Sequence, residues 1–221
     1  MNQSHVYFDA HKHILPENRQ NEVLAIRNVI LSEDAIDGGL CSAGIHPWHI
    51  VDDGEEQLIE LKKLLIQNDN VLAVGECGLD KVSETDWDLQ IRTFTAQLGL
   101  AKQFRKPIIV HCVRAYQEVI HCIKAVEISE PIIYHGFQKK EKLADQLLAI
   151  PNTYLSLGAS ILSGKNDALI KNMPINRLFL ETDQSPISII ELYSYFSHVR
   201  GLEIDMLKAQ MWNNYSKVFL K

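Results

Sequence analysis

Short apolar runs alternate with longer amphipathic stretches along the chain. The runs have the length of strands, and several are rich in valine and isoleucine, which favour extended backbone. Eight of them are predicted as strands, at Val6–Asp9, Val23–Leu31, Cys41–Ile45, Val71–Gly75, Pro107–Val110, Pro131–Tyr134, Thr153–Leu157 and Arg177–Leu180. Alternating strands and helices predict a parallel α/β fold, and eight such strands are the number that closes a TIM-type (β/α) barrel.

The amphipathic stretches predict the helices between these strands. The clearest one carries a single apolar stripe of Trp87, Ile91, Phe94, Leu98 and Ala101, spaced three or four residues apart. Thr85, followed three residues later by Asp88, resembles a capping box at its start. Further helices are predicted at Tyr116–Val126, Lys140–Ala149, Asp167–Asn172, Ile189–Phe196 and Asp205–Phe219. The segment from His13 to Gly44 is short for two strands and a full helix. We therefore expect a compact, somewhat irregular barrel whose first helix is truncated or missing.

Composition fits one globular domain over residues 1–221. The chain is 46% apolar and 23% charged, which suits a packed core. A net charge of -6 gives no support to tight, nonspecific nucleic-acid binding through a broad basic face. The four cysteines are widely spaced, which argues against a disulfide framework and a thiolate zinc site. Without a signal-like N-terminus or an apolar run of membrane-spanning length, we expect a cytoplasmic protein with no membrane association. No obligate protein partner is evident.

Potential metal ligands recur at or just after the predicted strands. They are His11, His13, Glu76, His111, His135 and Asp183. A histidine at a strand end is often only a satisfied core residue, and a carboxylate there can belong to a structural ion pair. Carboxylates are nevertheless rarely buried without a partner or a metal, and barrel enzymes place their chemistry at the carboxyl ends of strands. Imidazole and carboxylate together bind divalent cations. The set therefore predicts a metal-dependent hydrolase.

These motifs, in this order, resemble the TatD family of metal-dependent deoxyribonucleases, within the amidohydrolase superfamily. The resemblance spans nearly the whole chain and rests on Asp9-x-His11-x-His13, Gly44-Ile45-His46-Pro47, Gly75-Glu76-Cys77-Gly78-Leu79-Asp80, Lys106-Pro107-Ile108-Ile109-Val110-His111, His135-Gly136-Phe137, Tyr154-Leu155-Ser156-Leu157-Gly158 and Glu181-Thr182-Asp183. It implies a TIM-like barrel that holds two divalent ions, which would be zinc, magnesium or manganese.

The resemblance also assigns roles to residues. His11, His13 and Asp183 would hold one ion, His111 and His135 would hold the other, and Glu76 would bridge the two. In the mechanism of metal-assisted hydrolysis, Asp183 is also interpreted as the proton acceptor from the bridging water. Asp9 is interpreted as orienting a ligand imidazole from behind. His46 would lie near the substrate phosphate, and the alternative for it is a turn histidine held before Pro47.

Two departures from the family pattern concern the substrate. Family members often carry an arginine two residues after the histidine that corresponds to His111, whereas Val113 stands there and Arg114 follows. The segment after Asp183, Gln184-Ser185-Pro186, is shorter than in most relatives. We predict cleavage of DNA or a small phosphodiester, with Arg114 contacting phosphate. A related hydrolase acting on an amide, ester or lactone is the alternative. A non-catalytic barrel kept for protein interaction is a third reading, which the complete ligand set argues against.

Overall fold

The computed structural model describes residues 6–13, 22–31 and 38–220 of the chain. Eight strands follow one another in chain order through one sheet. They are β1 Tyr7–Lys12, β2 Val23–Ile30, β3 Cys41–Gly44, β4 Val71–Asp80, β5 Ile108–Val113, β6 Ile132–Tyr134, β7 Thr153–Leu157 and β8 Leu178–Leu180. Their recorded pairings are parallel. This is the strand order of a TIM-type barrel, so the predicted fold class is confirmed.

Seven α-helices lie within the described residues. They are α1 Glu55–Gln67, α2 Trp87–Phe104, α3 Tyr116–Val126, α4 Glu141–Leu148, α5 Asp167–Asn172, α6 Ile189–Arg200 and α7 Ile204–Phe219, with short 3-10 turns at Ala159–Ser163 and Ile175–Arg177. None of these helices is long and apolar enough to cross a membrane. Residues 14–21, where a helix between β1 and β2 would fall, lie outside the described residues, so the truncated first helix stays a prediction.

The fold divides into two compact units, one formed by the described residues up to Arg27 and from His135 onward, the other by Asn28–Tyr134. The core of the first unit is aromatic. The buried ring of Phe8 on β1 lies 4.7 Å from Tyr215 and 5.6 Å from Phe179, measured between ring centroids. The buried hydroxyl of Tyr193 accepts a hydrogen bond from the Phe8 amide (3.1 Å) and donates one to the Phe8 carbonyl (2.9 Å). These contacts anchor β1, which carries the candidate ligand His11 and leads directly to His13.

The second unit is built around β4, which pairs with β3 and β5. The strand was predicted to end at Gly75, but it continues to Asp80 because Cys77 to Asp80 pair in register with Val110 to Val113 of β5. Close approach of the two strands requires glycine at position 78, where a Cβ would lie 1.9 Å from the His111 carbonyl oxygen. Glu76 therefore lies within a strand, and not in the loop after one.

The start of α2 differs from the predicted capping box. Asp86 is the N-cap, and its side chain accepts a hydrogen bond from the amide of Leu89 at 2.8 Å. Thr85 instead belongs to the preceding turn, where its amide donates to the Ser83 hydroxyl. Aspartate in this position can receive the free amides of the first turn as well as threonine can, so the sequence offered two adjacent candidates.

Candidate metal centre

In the first unit, the end of β1 and the segment that follows β8 bring together His11, His13 and Asp183. Each can place one ligand atom within 4.8 Å of the others. Asp183 Oδ1 lies 3.4 Å from His13 Nε2 and 3.8 Å from His11 Nε2. His11 is buried, whereas the Asp183 side chain is 42% exposed, so the cluster has an open side.

The main chain holds this cluster in register. The Asp183 amide donates to the His11 carbonyl at 2.9 Å, and the His13 amide donates to the Asp183 carbonyl at 3.2 Å. Asp183 has a left-handed φ of 53°, which is uncommon for a residue other than glycine. Because two backbone hydrogen bonds join its position to β1, the three side chains are brought together by the backbone itself.

His135 follows β6 in the chain and belongs to the same unit. Its ring centroid lies 4.5 Å from that of His11, which in turn lies 5.1 Å from that of His13. The His135 Nδ1 atom is 3.4 Å from Oε1 of Glu181, a fully buried carboxylate that also accepts a hydrogen bond from the Gly136 amide at 2.6 Å. Burial alone would raise the pKa of Glu181, but the nearby His135 and His11 lower it below its usual range. An ionised Glu181 can orient the imidazole of His135.

Asp9 also lies in the first unit and is fully buried. Its carboxylate accepts hydrogen bonds from the amide (3.0 Å) and the hydroxyl (2.6 Å) of Thr182. Burial raises the pKa of Asp9 to about 6, although the bonds from Thr182 act in the opposite direction. Asp9 thereby fixes the residue directly before Asp183. Its predicted role behind a ligand imidazole stays a prediction.

In the second unit, β4, β5 and the turn after β3 bring together Glu76, His111 and His46, again with ligand atoms within 4.8 Å of one another. Glu76 Oε1 lies 2.7 Å from His111 Nδ1 and 3.4 Å from His46 Nε2. The two imidazoles approach to 3.2 Å. Burial lowers the pKa of His46 despite the opposing effect of the Glu76 carboxylate. A neutral imidazole is the form that binds a metal ion.

Asp80, at the end of β4, holds His111 from the side opposite Glu76. Its Oδ2 atom lies 3.1 Å from His111 Nε2 and accepts the indole N–H of Trp48 at 2.7 Å, and its Oδ1 atom accepts the Val82 amide at 2.8 Å. Burial would raise the pKa of Asp80, but these hydrogen bonds together lower it. If His111 were to bind an ion through Nδ1, its ring proton would have to lie on Nε2, and an ionised Asp80 can accept it there.

Glu76 itself is positioned through its backbone. Its amide donates a 2.7 Å hydrogen bond to the side-chain oxygen of Asn28 on β2, and the Ser42 hydroxyl donates to the same oxygen at 3.2 Å. Asn28, Ser42 and Glu76 are all buried. The predicted substrate residue Arg114 follows β5 directly and has an exposed side chain.

Three of these residues were overlooked as functional candidates: Asp80, Glu181 and Asn28. Asp80 and Glu181 carried a usable signal, since each is a carboxylate inside or at the end of an apolar run, the property that singled out Glu76. Asn28 gave no such signal, because a polar residue within Val23–Leu31 could equally have faced solvent.

The donor sets in both units suit a divalent ion. Imidazole nitrogen and carboxylate oxygen bind zinc at about 2.0–2.2 Å, so ligand atoms within 4.8 Å of one another can share one ion after small adjustments. Neither set contains a thiolate. Cys77 and Cys112, which adjoin Glu76 and His111 in the chain, belong to neither of them. The fold and these ligands together define a metal-dependent hydrolase built on a TIM-type barrel.

Comparison with known proteins identifies the family. The model for TatD related DNase matches residues 8–220, and the chain belongs to this family. It is 26% identical over 198 residues to an uncharacterized metal-dependent hydrolase of Haemophilus influenzae, covering 80% of this chain and 75% of that one. It is 27% identical over 203 residues to a protein of Erwinia amylovora named 3'-5' ssDNA/RNA exonuclease TatD, covering 80% and 77%. A crystal structure of a TatD homologue from Escherichia coli shares the fold, with a TM-score of 0.84, 21% identity and 99% coverage of both chains.

Proposed function

We propose that this metal-dependent hydrolase cleaves phosphodiester bonds of DNA and uses two divalent ions. The observation that carries the proposal is the presence of more than one histidine and carboxylate cluster in the described part of the chain. One is formed by His11, His13 and Asp183, and another is formed by His46, Glu76 and His111. A single-ion enzyme would need only one of them.

The ligand assignment follows the family resemblance. His11, His13 and Asp183 would hold one ion, His111 and His135 would hold the other, and Glu76 would be shared. The close contact between Glu76 and His111 (2.7 Å) supports this pairing within the second unit. Bound ions would lower the pKa of a water molecule and offset the negative charge of the phosphoryl oxygens.

The remaining chemistry belongs to side chains of this protein. Asp183 accepts the proton from the attacking water, a role that its partly exposed carboxylate permits. His46 lies near the substrate phosphate, and its position beside Glu76 and His111 is compatible with that role. Arg114 contacts a phosphate oxygen, because its exposed guanidinium is the group that best matches phosphate geometry.

A nucleic-acid substrate is supported by the family and by the relative from Erwinia amylovora that is named a single-stranded DNA and RNA exonuclease. The net charge of -6 indicates that binding relies on local contacts near the site and not on a broad basic surface. We therefore expect short, single-stranded ends to be better substrates than long duplexes.

A metal-by-substrate screen tests the proposal. Metal-free protein is reconstituted with zinc, manganese or magnesium and incubated with single-stranded DNA, duplex DNA, RNA, a simple phosphodiester, an ester and a lactone. We expect metal-dependent cleavage of single-stranded DNA, and binding of close to two ions per chain. Cleavage of an ester or lactone with every nucleic acid left intact would contradict the phosphodiesterase proposal, and one bound ion at full activity would contradict the dinuclear centre.

A further inference from the structure

Trp48 is an exposed residue whose side chain is also fixed by a hydrogen bond. Its side chain is 59% exposed, yet the indole N–H is bonded to the buried carboxylate of Asp80 at 2.7 Å. Its amide also donates to His46 Nδ1 at 3.1 Å. The indole is therefore held in one orientation while more than half of its surface faces solvent. An exposed tryptophan without such bonds would lose rotational freedom whenever it bound a partner.

The fixed indole lies beside the second cluster. Its ring centroid is 5.4 Å from that of His46 and 6.3 Å from that of His111, and both rings meet it nearly edge-on. Asp80 links the two features, because the carboxylate that holds Trp48 is also the one that contacts His111 Nε2 at 3.1 Å. A group that lies flat on the indole would consequently be held next to the candidate metal ligands.

A second exposed apolar residue is bonded to the same carboxylate through its backbone. Val82 is 59% exposed, and its amide donates to Asp80 Oδ1 at 2.8 Å. Trp48 and Val82 are thus attached to the two oxygens of one buried aspartate. Single exposed apolar residues need no explanation, but here two of them are bonded to one carboxylate that also contacts His111.

We propose that Trp48 is a stacking platform for a nucleobase of the substrate, with the adjoining phosphate directed toward His46 and His111. This inference rests on the proposed nuclease function and specifies how the substrate is held. Bases stack on exposed aromatic rings in single-stranded nucleic-acid sites without regard to sequence, because every base offers a flat face. Prior fixing of the indole by Asp80 reduces the entropy lost on stacking. The platform also explains how an acidic protein can hold an anionic polymer through few charged contacts.

The test is a cycle that combines protein variants with abasic substrates. Single-stranded oligonucleotides are prepared with one abasic site, placed in turn at each of the nucleotides flanking the scissile bond. KM and kcat are measured for wild type, Trp48→Ala and Trp48→Phe. Ile66→Ser is the matched control, since Ile66 is a similarly exposed apolar residue at the end of α1.

For wild type, we expect one abasic position to raise KM at least about fivefold, the lower end of the effect of base stacking on an aromatic ring. Trp48→Ala should raise KM for the intact substrate by a similar factor and should show no further increase at that abasic position. Trp48→Phe retains a ring face and should keep most of the abasic effect. Ile66→Ser should match wild type with every substrate.

The outcomes separate this inference from the proposed function. If wild type cleaves DNA and the abasic effect persists unchanged in Trp48→Ala, the platform is wrong and the nuclease proposal stands. If wild type leaves every oligonucleotide intact but hydrolyses an ester or lactone, both are wrong. If Trp48→Ala binds less metal than wild type, the test relies on Trp48→Phe. Loss of the abasic effect in Trp48→Phe, at full metal content, would also overturn the platform.

Discussion

Replacing Asp80 by asparagine should weaken metal binding even though the new residue has almost the same shape. All three partners of the Asp80 carboxylate are donors: the Val82 amide, the Trp48 indole N–H and, with an ionised Asp80, the Nε2–H of His111. Asparagine offers one oxygen and one NH2 group, so at least one donor is left facing another donor. His111 can escape by moving its proton to Nδ1, the nitrogen that lies 2.7 Å from Glu76. The tautomer that remains cannot bind an ion through Nδ1.

The magnitude follows from the same geometry. A buried donor left without an acceptor costs about 1–3 kcal/mol, and Asp80 is only 1% exposed, so water cannot compensate readily. At about 1.4 kcal/mol per tenfold change, this corresponds to a loss of roughly 5- to 150-fold in metal affinity. Removal of a carboxylate behind a ligand histidine typically costs about 10–100-fold, which falls inside the same interval.

Metal affinity is measured by titrating metal-free protein against a competing chelator, for wild type, Asp80→Asn and Asp88→Asn. Asp88 is exposed in the first turn of α2 and provides the matched loss of one carboxylate. Turnover at saturating metal should recover most of its wild-type value in Asp80→Asn, since the reacting groups are unchanged. Wild-type metal affinity in a folded Asp80→Asn protein would refute the proposed control of the His111 tautomer.

Three further substitutions test the assigned roles. Glu76→Ala should lower metal content and abolish turnover, because a shared carboxylate offsets the repulsion between two ions. Elemental analysis and an activity assay on the same sample check this, and full metal content would contradict it. Asp183→Asn should keep much of its metal and lose at least about 100-fold in rate, as expected for a general base. Bound metal and turnover are measured together, and near wild-type turnover would mean that Asp183 is only a ligand. Arg114→Ala should raise KM for DNA and leave metal content unchanged. Arg92→Ala is the control, since Arg92 is an exposed arginine on α2. An unchanged KM would mean that Arg114 does not contact the phosphate.

The hydrophobic pattern predicted the strands well because parallel strands that are covered on both faces are almost continuously apolar. It failed to predict α1, which carries the buried residues Leu61 and Leu65 together with the exposed residues Ile59 and Ile66. Apolar residues on opposite faces obscure the stripe that marks an amphipathic helix. The end of β4 was missed for a different reason, since Gly75 and Gly78 resemble chain breaks in the sequence but permit close strand pairing in the structure.

The candidate ligands could be found from the sequence because a polar residue that ends an apolar run is conspicuous. The residues that support them could be found only in part. Asp9 was singled out from the sequence but its bond to Thr182 was not, and Asn28, which bonds the backbone of Glu76, was missed, because each bond joins residues far apart in the chain. Spacing along one strand gives no information about a partner on another strand. The place of Trp48 was hidden in the same way, because its exposure and its bond to Asp80 are both tertiary properties.

The bonds between Asp183 and β1 have a consequence for how this protein can be varied. Asp183 is joined to His11 and His13 by its own amide and carbonyl, and the Ser185 amide is bonded to the Thr182 carbonyl in the same turn. The part of the connection to α6 that follows Ser185 can therefore change in length and sequence while the candidate ligand keeps its register. Metal binding and substrate choice become separately adjustable, and this short stretch is a natural place to graft a longer loop when a new substrate range is wanted.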